Sequence, residues 1–199
     1  MKKAKDFIKN NRTALIGAVI IFLASISLGA FFSCKISPSQ VHELKEYIIP
    51  YLQKDVVSKI SFINIFKTSA LNHLKFIIVA IIGAVSIYAL PLFIFAFAIR
   101  GYQLGFTIGF ISHNFGARGI LLSLSSVILF YALALPAYFF VFVTETNYVL
   151  KQTKWWRNSK DKRSSLLSYF SFLLLIYFYL CVSALAEAVL TPLIISVIN

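Results

Sequence analysis

The chain has 199 residues, 59% of them hydrophobic against 13% charged, and a formal net charge of +12. That apolar share exceeds what a soluble domain carries, and the charges are too few to coat one, so the ordinary globular classes are excluded. The basic excess does not point to nucleic acid: five Lys and Arg fall within residues 1–12 and six within 151–163, flanking apolar runs as cytoplasmic loops do.

The first apolar run, Thr13 to Phe32, is twenty residues without a charge. As a helix it is about 30 Å long, which matches a bilayer core. It is too long for a signal-peptide core, and Phe31-Phe32-Ser33-Cys34 lacks the leucine expected three residues before a lipoprotein cysteine, so the run reads as an uncleaved anchor. Cys34 and Cys181 are too far apart in setting to suggest a disulfide framework.

Residues 33–75 form the only sizeable segment outside the membrane on that side. Val41, Leu44, Ile48 and Leu52 recur every three or four residues after Pro38, with Glu43, Lys45, Glu46 and Lys54 between them, the pattern of an amphipathic helix that Ser37 or Ser39 can cap. A second apolar stripe through Phe62, Ile65, Phe66 and Leu74, separated by Lys59, Lys67 and Lys75, predicts a helix lying along the interface. Val41, Leu44, Ile48, Leu52, Phe62 and Phe66 are the candidate docking residues for an extracytoplasmic partner. The alternative is that they only pack on the bundle.

Phe76 to Ile99 predicts the second crossing. It is followed by Arg100-Gly-Tyr-Gln-Leu-Gly-Phe-Thr-Ile-Gly-Phe, in which Gly101, Gly105 and Gly109 are spaced by four. Such spacing clears one helical face and lets another backbone approach. Tyr102 to Ser112 is too short for an ordinary span, but if it crosses, all the basic clusters fall on one side; a re-entrant loop is the alternative. Crossings four and five are Ile120 to Val143 and Leu166 to Ile198, the latter bent or turned near Pro192.

The expected fold is therefore all-α: one integral membrane domain over 1–199, a polytopic bundle of five transmembrane helices, one short and glycine-rich, plus an amphipathic outer segment. Residues 1–12 and 144–165 are expected in the cytoplasm, Arg100 at the cytoplasmic end of its helix, and the C-terminus outside. Trp155 and Trp156 read as an inner interfacial anchor.

Motifs for chemistry are absent. No His-Glu-x-x-His, Gly-x-Ser-x-Gly or Gly-x-x-x-x-Gly-Lys occurs, and His42, His73 and His113 have no metal-ligand spacing around them. No catalytic residue, metal or cofactor is predicted. Glu187 interrupts the last apolar run, and an acid there normally faces the bundle interior with a partner. The candidates for a buried ion pair are Arg118 and His113, on the outer loop.

Asn72-His-Leu-Lys-Phe, Ala89-Leu-Pro-Leu, the Arg100–Phe110 glycine segment, Gly116-Ala-Arg-Gly, Leu135-Pro-Ala-Tyr and Ala186-Glu-Ala-Val-Leu-Thr-Pro follow one another in an order and spacing that resemble the stage II sporulation protein M family. Arg100 stands where the family typically carries Lys, and Gly116-Ala-Arg-Gly lacks an outer aromatic anchor often present there. The resemblance implies a non-enzymatic membrane scaffold that recruits the peptidoglycan-degrading stage II sporulation proteins D and P during engulfment. It also implies a place on the mother cell side of the sporulation septum or engulfing membrane. The competing reading from the residues is a small permease subunit built around Glu187. Membrane lipid is the only other partner expected; the glycine faces fit a homo-oligomer as well as packing within one chain.

Overall fold

The computed structural model describes the backbone of residues 11–52, 62–123, 129–155 and 162–198, and the side chains within them except at 47–52, 118, 122, 129, 130, 151–155, 162–166 and 192–198. All regular structure among these residues is helical: α1 (Arg12–Ser33), α2 (Pro38–Leu52), α3 (Phe62–Gly83), α4 (Leu90–Leu122), α5 (Leu129–Trp155) and α6 (Lys162–Ile198). Five stretches are long and apolar enough to span a bilayer, Arg12–Ser33, Phe62–Gly83, Leu90–Ala117, Tyr131–Leu150 and Leu167–Thr191. Helices are what such runs must form, because lipid offers no partner to backbone N–H and C=O groups.

The number of spans agrees with the sequence reading, but their boundaries do not. The apolar stretch Phe76 to Ile99 is no single crossing: α3 ends at Gly83, residues 84–89 turn, and α4 begins at Leu90. Gly83 ends one helix and Pro91 sits in the first turn of the next, where its missing N–H costs nothing; inside a continuous helix its ring would strike the carbonyl four residues back. The turn closes its own backbone, with Ala89 N–H donating to the Ser86 carbonyl at 3.0 Å. Phe62 and Phe66 therefore belong to a span and not to an interfacial helix. The glycine segment is likewise no short helix of its own, but the middle of the 33-residue α4.

Contacts between helices set their directions. Gly101 lies against Phe22 and Ser25, Gly105 against Ile26, and Gly109 against Ala30 and Ser33, so α4 runs parallel to α1. The pairs Phe76–Phe93 and Asn72–Arg100 make α3 antiparallel to α4, Phe93–Phe142 and Arg100–Tyr138 do the same for α5, and Glu145–Tyr169 with Leu133–Tyr179 sets α6 against α5. One end of the bundle thus gathers Asn11, the 84–89 turn and Asn147, whose amide donates to Asn11 at 2.8 Å. The other gathers Ser33, Phe62 and Gly116.

Depth follows from the same contacts. Phe22 lies in the middle of α1, the uncharged twenty-residue run, and Gly101 packs on it. Arg100 is therefore at mid-depth, not at the cytoplasmic end where charge counting placed it. Beyond Gly109, α4 bends at Gly116 (φ 57°, ψ −139°), a backbone state that only glycine adopts readily. The following turn folds back so that Gly119 rests on the Ile111 carbonyl. The fourth crossing accordingly starts near Tyr131, about ten residues later than hydropathy indicates, and α6 stays helical through Pro192.

The core is largely aromatic. Phe22, Phe76, Phe93, Phe97, Phe139, Phe142 and Tyr138 form a ladder of tilted and edge-on rings 4.6–5.9 Å apart, supplied by four helices. Such pairs add roughly 0.5–1.5 kcal/mol each beyond burial.

Candidate functional site

At mid-depth the ladder gives way to polar side chains from α3, α4, α5 and α6. Ser69 Oγ donates to Glu187 Oε2 at 2.5 Å, and its oxygen lies 3.5 Å from His73 Nε2. On the other side of the ring, His73 Nδ1 is 2.7 Å from the Tyr138 hydroxyl. Because the Ser69 proton is committed to the carboxylate, the neutral imidazole that completes the chain carries its proton on Nε2 and accepts the Tyr138 O–H at Nδ1. Arg100 donates to the Asn72 carbonyl and lays its guanidinium 5.7 Å from the Phe76 ring and 5.6 Å from the Tyr138 ring. The result is a continuous line from Glu187 through Ser69, His73 and Tyr138 to Arg100.

All of these residues except Ser69 come from the segments that carried the family resemblance. Asn72, His73 and Phe76, then Arg100, then Tyr138, then Glu187 are far apart in sequence, and the fold brings them together inside the bundle. Polar groups at that depth are costly in lipid and face the bundle interior when satisfied. Here the hydrogen bonds from Glu187 to Tyr138 join α6, α3 and α5, and Arg100 ties α4 to α3 through the Asn72 carbonyl.

A second buried acid escaped sequence reasoning. Glu145, expected in a cytoplasmic loop at 144–165, lies in the α5 span and is 0% exposed. It accepts the Tyr169 hydroxyl at Oε2, while Oε1 has no hydrogen-bond partner among the described residues and presses against Gly83, where a Cβ would lie 2.7 Å away. The signal that would have found it is the serine cluster Ser123, Ser125 and Ser126, a break in the apolar run that moves the span toward Glu145.

The three glycines face α1 closely. A Cβ at Gly105 would overlap the Ile26 carbonyl, and one at Gly101 would lie 3.0 Å from the Phe22 carbonyl. Gly29 on α1 answers them, with the Tyr102 carbonyl where its Cβ would be. Backbone approach of this kind rigidly joins α1 to α4 and so holds Arg100 at its level.

The expected Glu187–His113 pair is not formed. Glu187 bonds Ser69, whereas His113 is exposed and makes no ion pair; among the described residues the only ion pair is His42 with Glu46, at 3.6 Å on the surface of α2. The register of α6 sets Glu187 at the level of Ser69, deeper than the outer loop. The Arg118 side chain, Trp156, and the side chains of Trp155, Ile48 and Leu52 lie outside the described residues.

On α2, Val41 and Leu44 are half-buried, and Phe62 stacks on Phe66 along α3 with ring centroids 6.5 Å apart. At the start of α2 the Ser37 hydroxyl and its backbone N–H both donate to Gln40 Oε1, at 3.0 and 3.4 Å, the half of a capping box in which the side chain three residues into the helix reaches back to the N-cap N–H. Among the described residues α2 packs no face against the spans.

Among the described residues no three His, Cys, Asp or Glu side chains gather as a metal site. No curated protein and no solved structure matches the chain. Residues 18–192 match the family described as stage II sporulation protein M, whose members are sporulation-related membrane proteins and not a known enzyme family. The chain, with its five membrane-spanning helices, belongs to the stage II sporulation protein M family.

Proposed function

We propose that the protein is a non-enzymatic membrane scaffold that recruits and localises peptidoglycan-degrading enzymes, stage II sporulation proteins D and P, during engulfment. The observation that carries the reading is α2, an amphipathic helix that packs no face against the spans among the described residues. In this reading the end bearing Ser33 and Phe62 faces the wall from the mother cell side, and the basic segments 1–12 and 151–163 face the cytoplasm. The bundle serves as a rigid mount, and α2 presents Val41 and Leu44 to the partner.

Replacing both apolar side chains by charge, Val41→Glu with Leu44→Glu, is expected to abolish co-localisation of the hydrolases with the scaffold at the septum while leaving its membrane level unchanged. Recruitment that survives the double variant would move the contact off α2. The permease alternative has less support. Its polar line stops at mid-depth, and Glu145, toward the opposite end, belongs to a separate pair with Tyr169 among the described residues.

A further inference from the structure

The exposed face of α3 carries a charge that the bundle does not answer. Asn64, Thr68, Leu71, Lys75, Ile78 and Ile82 lie at successive turns and are all exposed, with Lys67 and Asn72 flanking them. The half of this stripe toward Gly83 is apolar, as a lipid-facing helix should be; Ile78 and Ile82 are 46% and 45% exposed. The other half is polar apart from Leu71, and Lys75 stands at the junction. It is one turn from Asn72, whose carbonyl holds Arg100, and Arg100 is level with the middle of α1.

Lys75 is thus a lipid-exposed ammonium near the centre of a span. Eight residues separate it from Gly83, roughly 12 Å along the helix. Its four-carbon stem covers only about half of that by snorkelling. Among the described residues no carboxylate oxygen comes within 4.0 Å of Lys67, Lys75 or Arg100. A charge so placed is costly in hydrocarbon, and such residues pair with one another or line a contact.

The geometry points to an intramembrane docking seam on the outer face of α3, occupied by a membrane-spanning helix of another protein that carries an aspartate or glutamate near its middle. Charge complementarity selects the occupant. A second copy of this chain does not qualify, because its described acids are Glu43 and Glu46 on α2, Glu145 sealed in the core and Glu187 committed to Ser69. The apolar half of the stripe offers the flat contact along which such a helix lies, and Lys75 fixes its register. This contact is independent of α2.

The test uses the full chain in phosphatidylcholine vesicles and a labelled leucine–alanine membrane-spanning peptide with one central Glu, compared with the same peptide bearing Gln. Energy transfer should report association at least about tenfold tighter for the Glu peptide, in line with close charge pairs at interfaces. Lys75→Gln should remove that difference while leaving the thermal midpoint of the scaffold unchanged or raised. Because Lys75 is exposed and makes no contact needed by the fold, loss of folding does not confound the result. Equal association of the two peptides, or a preference that survives Lys75→Gln, would overturn the proposal. So would loss of the preference on adding phosphatidylglycerol, which would assign Lys75 to a lipid phosphate.

Discussion

Gly105→Leu is expected to part α1 from α4 and to cost roughly 3 kcal/mol or more. Overpacking a core usually costs about 1–3 kcal/mol because side chains shift to make room, but the atoms facing Gly105 are the backbone of Ile26, which cannot rotate away. The cost reaches beyond the helix pair. Arg100 is about one and a half turns from Gly105, and its hold on the Asn72 carbonyl depends on the depth that the α1 contact imposes. Gly17→Leu is the control: nothing lies within 4 Å of its Cβ position, and a better helix former there gains up to about 1 kcal/mol. Reversible unfolding in mixed detergent micelles measures both variants; equal stability of the two would show that the glycine spacing has no role in packing.

Tyr169→Phe is expected to cost about 1–3 kcal/mol, although it removes a single oxygen. Glu145 is completely buried, its Oε1 already lacks a partner, and Tyr169 supplies the one hydrogen bond on Oε2 among the described residues. Deleting that donor leaves a polar group sealed without compensation, the expensive case for a buried carboxyl. Pairing the change with Glu145→Met removes both polar partners at similar volume. The double variant should regain most of the loss, since replacing a buried polar pair by apolar groups is often close to neutral. A double-mutant cycle on the unfolding free energies checks this; additive losses would mean that the two side chains are not coupled.

The residues differ in how much they disclose before folding. Glycines spaced by four announce a close helix contact because the helical period alone puts them on one face, and the α2 stripe is readable for the same reason. Span boundaries were less legible because hydropathy runs through the turn at 84–89 without a dip. Only Gly83 and Pro91 mark the break, and neither forbids a helix by itself. That one misplaced break moved Arg100 from mid-depth to an end and, with the late start of α5, left Glu145 in a loop. The Glu187–Ser69–His73–Tyr138–Arg100 line could not be read at all from spacing, since it depends on which faces of four helices meet.

The account rests on α2 facing the wall while the basic segments face the cytoplasm, and sidedness is the most direct test of it. In a background with Cys34→Ala and Cys181→Ala, single cysteines placed by Ser39→Cys and Ser159→Cys would be exposed to a membrane-impermeant thiol reagent in intact protoplasts. Labelling at position 39 alone, with position 159 reacting only after the membrane is permeabilised, is the predicted result. Labelling of position 159 in intact protoplasts, alone or together with 39, would contradict the account, because α2 and the loop after α5 would no longer lie on opposite faces with α2 outside.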